Sequence, residues 1–281
     1  MISNMSFDSP RKVKEVCKKY GLRPSKFRGQ NFLIDKNVVQ NIIKACELGR
    51  GDKILEIGPG LGVLTDELSK KAKKILAVDI DAKILDILDH EFDWNNVELI
   101  RKDILKLPNE IIAERLGRDY FLVSNLPYQI SSEVLEKFLT QKPKPKKIII
   151  MVQREFGERM LEGAPHANLL SLMVEFNADV KKLFRVSKNS FWPVPKVDSV
   201  IMEVIPRDRK FLSKEEQIIF WDMVKSGFRS KRKYLISNLD KYTNIPKKII
   251  TSSFDELELD RKIRPENLGL KDWLAFFHKI N

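Results

Sequence analysis

The feature that most limits what this chain can fold into is a short apolar run, K-I-L-E-I at 53–57, that passes directly into E-I-G-P-G-L-G. Further apolar runs follow at 74–79, 97–100, 120–124 and 146–153, separated by segments of helical length. Strand and helix alternating in this way is the pattern of βαβ units around a mostly parallel sheet. The glycine-rich turn then falls at the carboxyl end of the first strand, where open α/β sheets bind ligands. Gly58 and Gly60 let the backbone approach a ligand there, whereas the plainer alternative is a tight strand-to-helix turn. A dinucleotide fingerprint needs G-x-G-x-x-G/A, and the third small residue is replaced by Val63, so a nicotinamide site is excluded.

Acids stand at successive strand ends. Glu56 precedes the first glycine, Asp79 closes the second strand, and Asp103 follows the third in R-K-D-I-L. A carboxylate at Asp79 can accept both hydroxyls of a ribose, and one at Asp103 can accept a hydrogen bond from an adenine amino group. Taken singly, each also reads as a solvated strand-end acid or a turn cap.

The fourth strand ends in S-N-L-P-Y, residues 124–128. An exocyclic adenine amine is a weak nucleophile because its lone pair is delocalised into the ring. Acceptors that draw on its hydrogens localise that pair. The Asn125 side-chain oxygen and the Leu126 carbonyl can serve, because Pro127 holds its predecessor extended, and Tyr128 can stack on the base. Further on, F-W-P-V-P-K-V-D uses two prolines to present Phe191 rigidly. Trp192 reads equally as packing against the domain or as stacking on RNA.

Strands at 180–186 and 199–205 complete a seven-stranded sheet, with helices at 155–162 and 168–176 before them. After a Pro-containing break the pattern is purely helical, at 215–228, 231–239 and 270–279. This divides the chain into residues 1–206, a catalytic domain with a basic leader at 9–28, and residues 207–281, a small helical domain. The 281 residues carry a net charge of +12, with 17 Lys/Arg against 11 Asp/Glu from residue 206 onward. That balance favours an anionic partner. Arg229, Lys231, Arg232 and Lys233 in the tail, and leader residues such as Arg28, are the candidate RNA contacts. Two isolated cysteines and three histidines outside every motif give no metal site. With no apolar run long enough to span a bilayer and no secretory leader, the expected setting is cytoplasmic, with no membrane partner.

Q-N-F-L, E-I-G-P-G-L-G, the strand-end acids, N-L-P-Y and F-W-P-V-P-K-V-D-S, in this order, resemble the ribosomal RNA adenine dimethylases, most closely the small-subunit enzymes. The resemblance implies a Rossmann-like class I methyltransferase using S-adenosylmethionine, acting as a monomer on ribosomal RNA of an immature small subunit. It implies that Asn31 and Leu33 contact the methionine end of the cofactor, that Gly58 lies against it, and that Asp79 and Asp103 hold its ribose and adenine. Asn125 and Tyr128 would engage the target adenine, with Phe191 on its opposite face. The family commonly has Gly where this chain has Ser124, and often Glu at Asp79. Large-subunit methylases share most of these motifs but tend to carry N-I-P-Y, and DNA adenine methylases favour D-P-P-Y or N-P-P-Y. A non-catalytic assembly or RNA-binding factor on the same fold is the alternative from another class.

Overall fold

The computed structural model describes residues 7–25, 30–209, 211–230 and 232–281. Each apolar run forms a strand: β1 (Lys53–Ile57), β2 (Lys74–Asp79), β3 (Val97–Arg101), β4 (Phe121–Asn125), β5 (Lys147–Gln153), β6 (Ala178–Val186) and β7 (Ser199–Pro206). They make one sheet in the order β3-β2-β1-β4-β5-β7-β6. The first five strands run parallel, and β7 runs antiparallel to β5. The chain order reverses between β1 and β4, so their carboxyl ends open the crevice where such sheets bind ligands.

The strands read as continuous apolar runs because both faces of the sheet are covered. Ile54, Ile75, Phe121, Val123, Ile149, Met151 and Ile201 share one face and its core with Val39, Ile42 and Cys46 of a flanking helix. The alternate residues Leu55, Leu76, Val78, Leu122, Ile148 and Ile150 are equally buried. The helices of this part are α1 (Pro10–Lys19), α2 (Lys36–Cys46), α3 (Val63–Ser69), α4 (Ala82–Glu91), α5 (Asn109–Leu116), α6 (Ser131–Thr140) and α7 (Arg154–Met160).

The basic leader is largely a docked helix. Ser9 caps α1 by accepting from Lys12 N–H at 3.4 Å, and Pro10 occupies the first turn. Val13, Val16 and Cys17, at helical spacing, pack with Ile84, Ile87 and Leu88 of α4. Arg28 lies outside the described residues.

The chain divides into two compact units, and one of them is discontinuous in sequence. The first holds residues 1–157 and 180–206, the second 158–179 and 207–281. The expectation of one body over residues 1–206 is therefore corrected for the segment 158–179. The reason is apolar: Ala167, Leu172 and Phe176 are buried in a core with Phe220, Phe254, Trp273 and Phe277 of the second unit. The second unit contains α8 (Leu169–Asn177), α9 (Lys214–Gly227), α10 (Leu235–Tyr242), α11 (Lys247–Glu256) and α12 (Leu270–Ile280). Among the described residues no helix is long and apolar enough to cross a membrane.

Candidate active site

A cavity of about 250 Å³ opens at the carboxyl ends of β1, β2 and β4. Asn31, Leu33, Gly58, Gly60, Asp79, Asn125, Leu126 and Tyr128 all line it, together with Glu56. The glycines explain how three separate motifs meet. Gly58 and Gly60 have φ of +67° and +56°, in the left-handed region that favours glycine. A Cβ on Gly58 would stand 3.2 Å from Pro127 Cγ, and one on Gly60 would stand 3.3 Å from Phe32 Cδ1. E-I-G-P-G-L-G is thus in close contact with N-L-P-Y on one side and Q-N-F-L on the other.

Q-N-F-L is held by a two-residue antiparallel ladder, Phe32 opposite Trp192 and Leu33 opposite Phe191. Ile34 N–H donates to Ser190 O at 2.9 Å, and the Ser190 hydroxyl donates to Asp35 Oδ2 at 2.9 Å. This ladder accounts for a departure from expectation. Phe191 is 1% exposed and packs in the core under the sheet, outside the cavity lining, so its ring has no free face to cover a base. Burial against α2 and β7 outweighs presentation. Trp192, on the opposite side of the strand, is half-buried against the core formed by α1 and α4.

Asp103 also stands apart. It is not among the residues lining the cavity, its Oδ1 accepts from Leu105 N–H at 3.0 Å, and Lys106 Nζ lies 3.9 Å from its Oδ2. That is the contact of a turn cap, and it leaves the second carboxylate oxygen with acceptor capacity. Asp79 is better placed. It lies on the cavity wall with Oδ1 accepting from Asp81 N–H at 2.8 Å, a contact that fixes the carboxylate plane.

Asn125 closes β4 in register with Met151, and Leu126 N–H donates to Met151 O at 3.2 Å, so β5 fixes the backbone on which both acceptors stand. The Tyr128 hydroxyl is 2.8 Å from the fully buried hydroxyl of Ser199 at the start of β7. Burial raises the Tyr128 hydroxyl above its ordinary pKa, against the opposing effect of Ser199, so the ring is a neutral surface. Ser124, where the family commonly has Gly, is buried and donates to Ile57 O at 2.5 Å. The extra hydroxyl is satisfied as a tie between β4 and β1.

Glu56 is strongly perturbed. It is 1% exposed, and among the described residues neither its Oε2 nor the Thr65 hydroxyl has a hydrogen-bond partner. Burial pushes the Glu56 carboxyl up to about 8. Such an unsatisfied acid is costly in an apolar setting unless a ligand completes it. Ile80 was not legible as a site residue: it falls just beyond the strand at 74–79 and in no motif, yet it is 61% exposed and edges the cavity.

In the second unit Arg229, Arg232 and Lys233 are exposed on the loop between α9 and α10, and Lys231 lies outside the described residues. The buried Asn238 holds this loop, donating to Gly227 O at 2.6 Å and Ser230 O at 3.1 Å. The Arg229 guanidinium lies 4.6 Å from the centre of the Tyr242 ring.

Comparison with known proteins agrees with this geometry. A Ribosomal RNA small subunit methyltransferase A from Bacillus thuringiensis (strain Al Hakam) is 35% identical over 97% of this chain and 96% of the relative. The crystal structure of a dimethyladenosine transferase from Plasmodium falciparum superposes with a TM-score of 0.71 at 30% identity, covering 87% of this chain and 95% of that one. The 23S rRNA methyltransferase ErmE shares the fold, with a TM-score of 0.64 at 24% identity over 89% and 99% of the two chains. Residues 22–281 match the family described as Ribosomal RNA adenine dimethylase, and the chain belongs to that family.

Proposed function

We propose that this chain dimethylates the exocyclic amino groups of two adjacent adenines in small-subunit ribosomal RNA, acting as a monomer on an immature small subunit in the cytoplasm. The observation that carries the reading is the meeting of Q-N-F-L, E-I-G-P-G-L-G and N-L-P-Y around one cavity with Asn125 and Tyr128 on its wall. The first relative's name specifies the small ribosomal subunit, which supports that choice over the large one.

The cavity fits S-adenosylmethionine, the methyl donor of this family. A nucleoside and a cationic amino-acid chain need both apolar and acidic partners, and Ile80, Ile84 and Leu61 stand there beside Asp79 and the unsatisfied Glu56. Asp79 would accept the ribose hydroxyls, Asn31 and the backbone at Gly58 would hold the methionine end, and Glu56 would face positive charge. When bound, the cofactor supplies an electrophilic methyl group on a sulfonium sulfur. The chain's own part is to prepare the acceptor. Asn125 Oδ1 and the Leu126 carbonyl accept the amino hydrogens and localise the nitrogen lone pair, while Tyr128 keeps the base in line. After transfer the nitrogen gives up a proton to solvent, so no histidine or metal is required. Asp103 would accept from the cofactor's adenine amino group through the oxygen its turn contact leaves available, whereas Phe191 would reach the target base only by leaving the core contacts it makes here. Arg229, Arg232 and Lys233, with Lys231 and Arg28, would contribute phosphate contacts.

Incubation with labelled S-adenosylmethionine and either immature small or immature large subunits, followed by mapping of methylated adenines, tests the reading. Label on two adjacent small-subunit adenines is expected. Label on large-subunit RNA alone, or none on either, would overturn it. For the cofactor site, Asp79→Ala should weaken S-adenosylmethionine binding by on the order of 1.5–3 kcal/mol, the size of a lost charge-assisted contact. Calorimetry on a folded variant with unchanged affinity would remove Asp79 from the site.

A further inference from the structure

The cations of the leader are not equivalent. Lys12 is bound to Asp8 at 2.9 Å and Lys19 to Glu91 at 2.6 Å, and Arg11 lies 3.7 Å from Glu15. Lys14, Lys18 and Arg23 are exposed and have no acidic partner among the described residues. Those three line a single open cavity of about 320 Å³, whose remaining wall includes Leu22, Pro24 and Trp192. Lys83 adds a further positive charge at its edge, donating to Gly21 O at 3.1 Å.

The position of this cavity is as telling as its lining. Trp192 lies directly opposite Phe32 in the short ladder, and Phe32 lines the active-site cavity. The two cavities are therefore adjacent, with one pair of ladder residues between them. An aromatic wall beside three uncompensated cations has the chemistry of a nucleotide site: a π-face for a base, and positive charge for the phosphates on either side of it. Cations that spend none of their attraction on an internal carboxylate displace the counterions of the RNA phosphates fully when they bind.

We propose that this cavity binds a nucleotide of the ribosomal RNA strand flanking the target adenine, with its base on Trp192 and its phosphates at Lys14, Lys18 and Arg23. The inference rests on the RNA methylation reading above. It also gives the target adenine a second anchor, one nucleotide or a few away, that orients the strand across the ladder.

Two variants test it. Lys14→Gln/Lys18→Gln/Arg23→Gln changes only exposed side chains. It should raise KM for immature small subunits by roughly ten-fold or more and lower the salt slope for a short single-stranded adenine-containing oligoribonucleotide by about two. Cofactor affinity should stay at the wild-type value. Trp192→Leu, which keeps an apolar side chain against the core, should weaken oligoribonucleotide binding by roughly ten-fold, and Trp192→Phe should restore most of it. Wild-type KM and salt slope in the triple variant, in a preparation whose parent methylates small subunits, would overturn the subsite alone. Should the parent methylate no small-subunit RNA while the triple variant still loses oligoribonucleotide binding, the subsite would stand and the proposed substrate would fall.

Discussion

Asn125→Ala is expected to lower methyl transfer to immature small subunits by roughly 10²–10³-fold, as loss of one transition-state hydrogen-bond partner does, with cofactor affinity close to that of the parent. The fold gives reason to expect a clean effect. Asn125 joins β5 through its backbone, in register with Met151, and that ladder is indifferent to the side chain. The half-buried side chain is part of the cavity wall, and truncating it opens no void in the core below. Asn125→Asp keeps an acceptor and should retain more activity than Asn125→Ala if acceptance is the role. Single-turnover measurements separate the chemical step from RNA docking. Near-parental turnover in Asn125→Ala would refute the role of the Asn125 side chain and leave the chemical step to other acceptors. Tyr128→Phe offers an internal contrast. It keeps the stacking face and loses only the contact with Ser199, worth about 1 kcal/mol, so its effect should be several-fold at most.

The same contrast between backbone and side chain explains what could be read without coordinates. The five parallel strands were legible nearly to the residue because burial on both faces leaves uninterrupted apolar runs, and each run ends where a motif begins. The glycine loop and N-L-P-Y were legible because glycine and proline constrain the backbone locally. Helix α1 was hidden by its own surface: Lys14, Lys18 and their neighbours read as a solvated leader, although Ser9, Pro10 and the Val13–Val16–Cys17 spacing carry a helix signal. Helix α11 was missed for want of a strong cap, starting after Pro246 with no side-chain cap bond. The side-chain placements of Phe191 and Asp103 were not legible for a different reason. Their motifs fix where the chain turns, but which way each side chain points is set by the ladder with Leu33 and by the hydrogen bond from Leu105 N–H. Likewise the segment 158–179 joins the second unit through apolar contacts with residues far along the chain, which no local pattern announces.

Glu56 yields the other large effect, a pH dependence that couples folding to cofactor binding. Its carboxyl has an ordinary value of 4.5 and is pushed up to about 8 in the folded chain by burial. Between those values the folded state holds a proton that the unfolded state has lost. Stability should therefore be unaffected below about 4.5, fall as pH rises through the window, and level off above about 8, with a slope for one proton of up to about 1.4 kcal/mol per pH unit. Glu56→Gln is neutral throughout and should remove this contribution, leaving a variant more stable than the parent at pH 8 in denaturant titrations. A cationic ligand beside the carboxyl favours its ionised form, so cofactor binding near pH 7 should release up to about one proton from the parent and none from the glutamine variant. Calorimetry in two buffers of different ionisation enthalpy reads that proton directly. Equal proton release by parent and variant would mean that Glu56 is already ionised before the cofactor binds, or that it never meets the cofactor's charge.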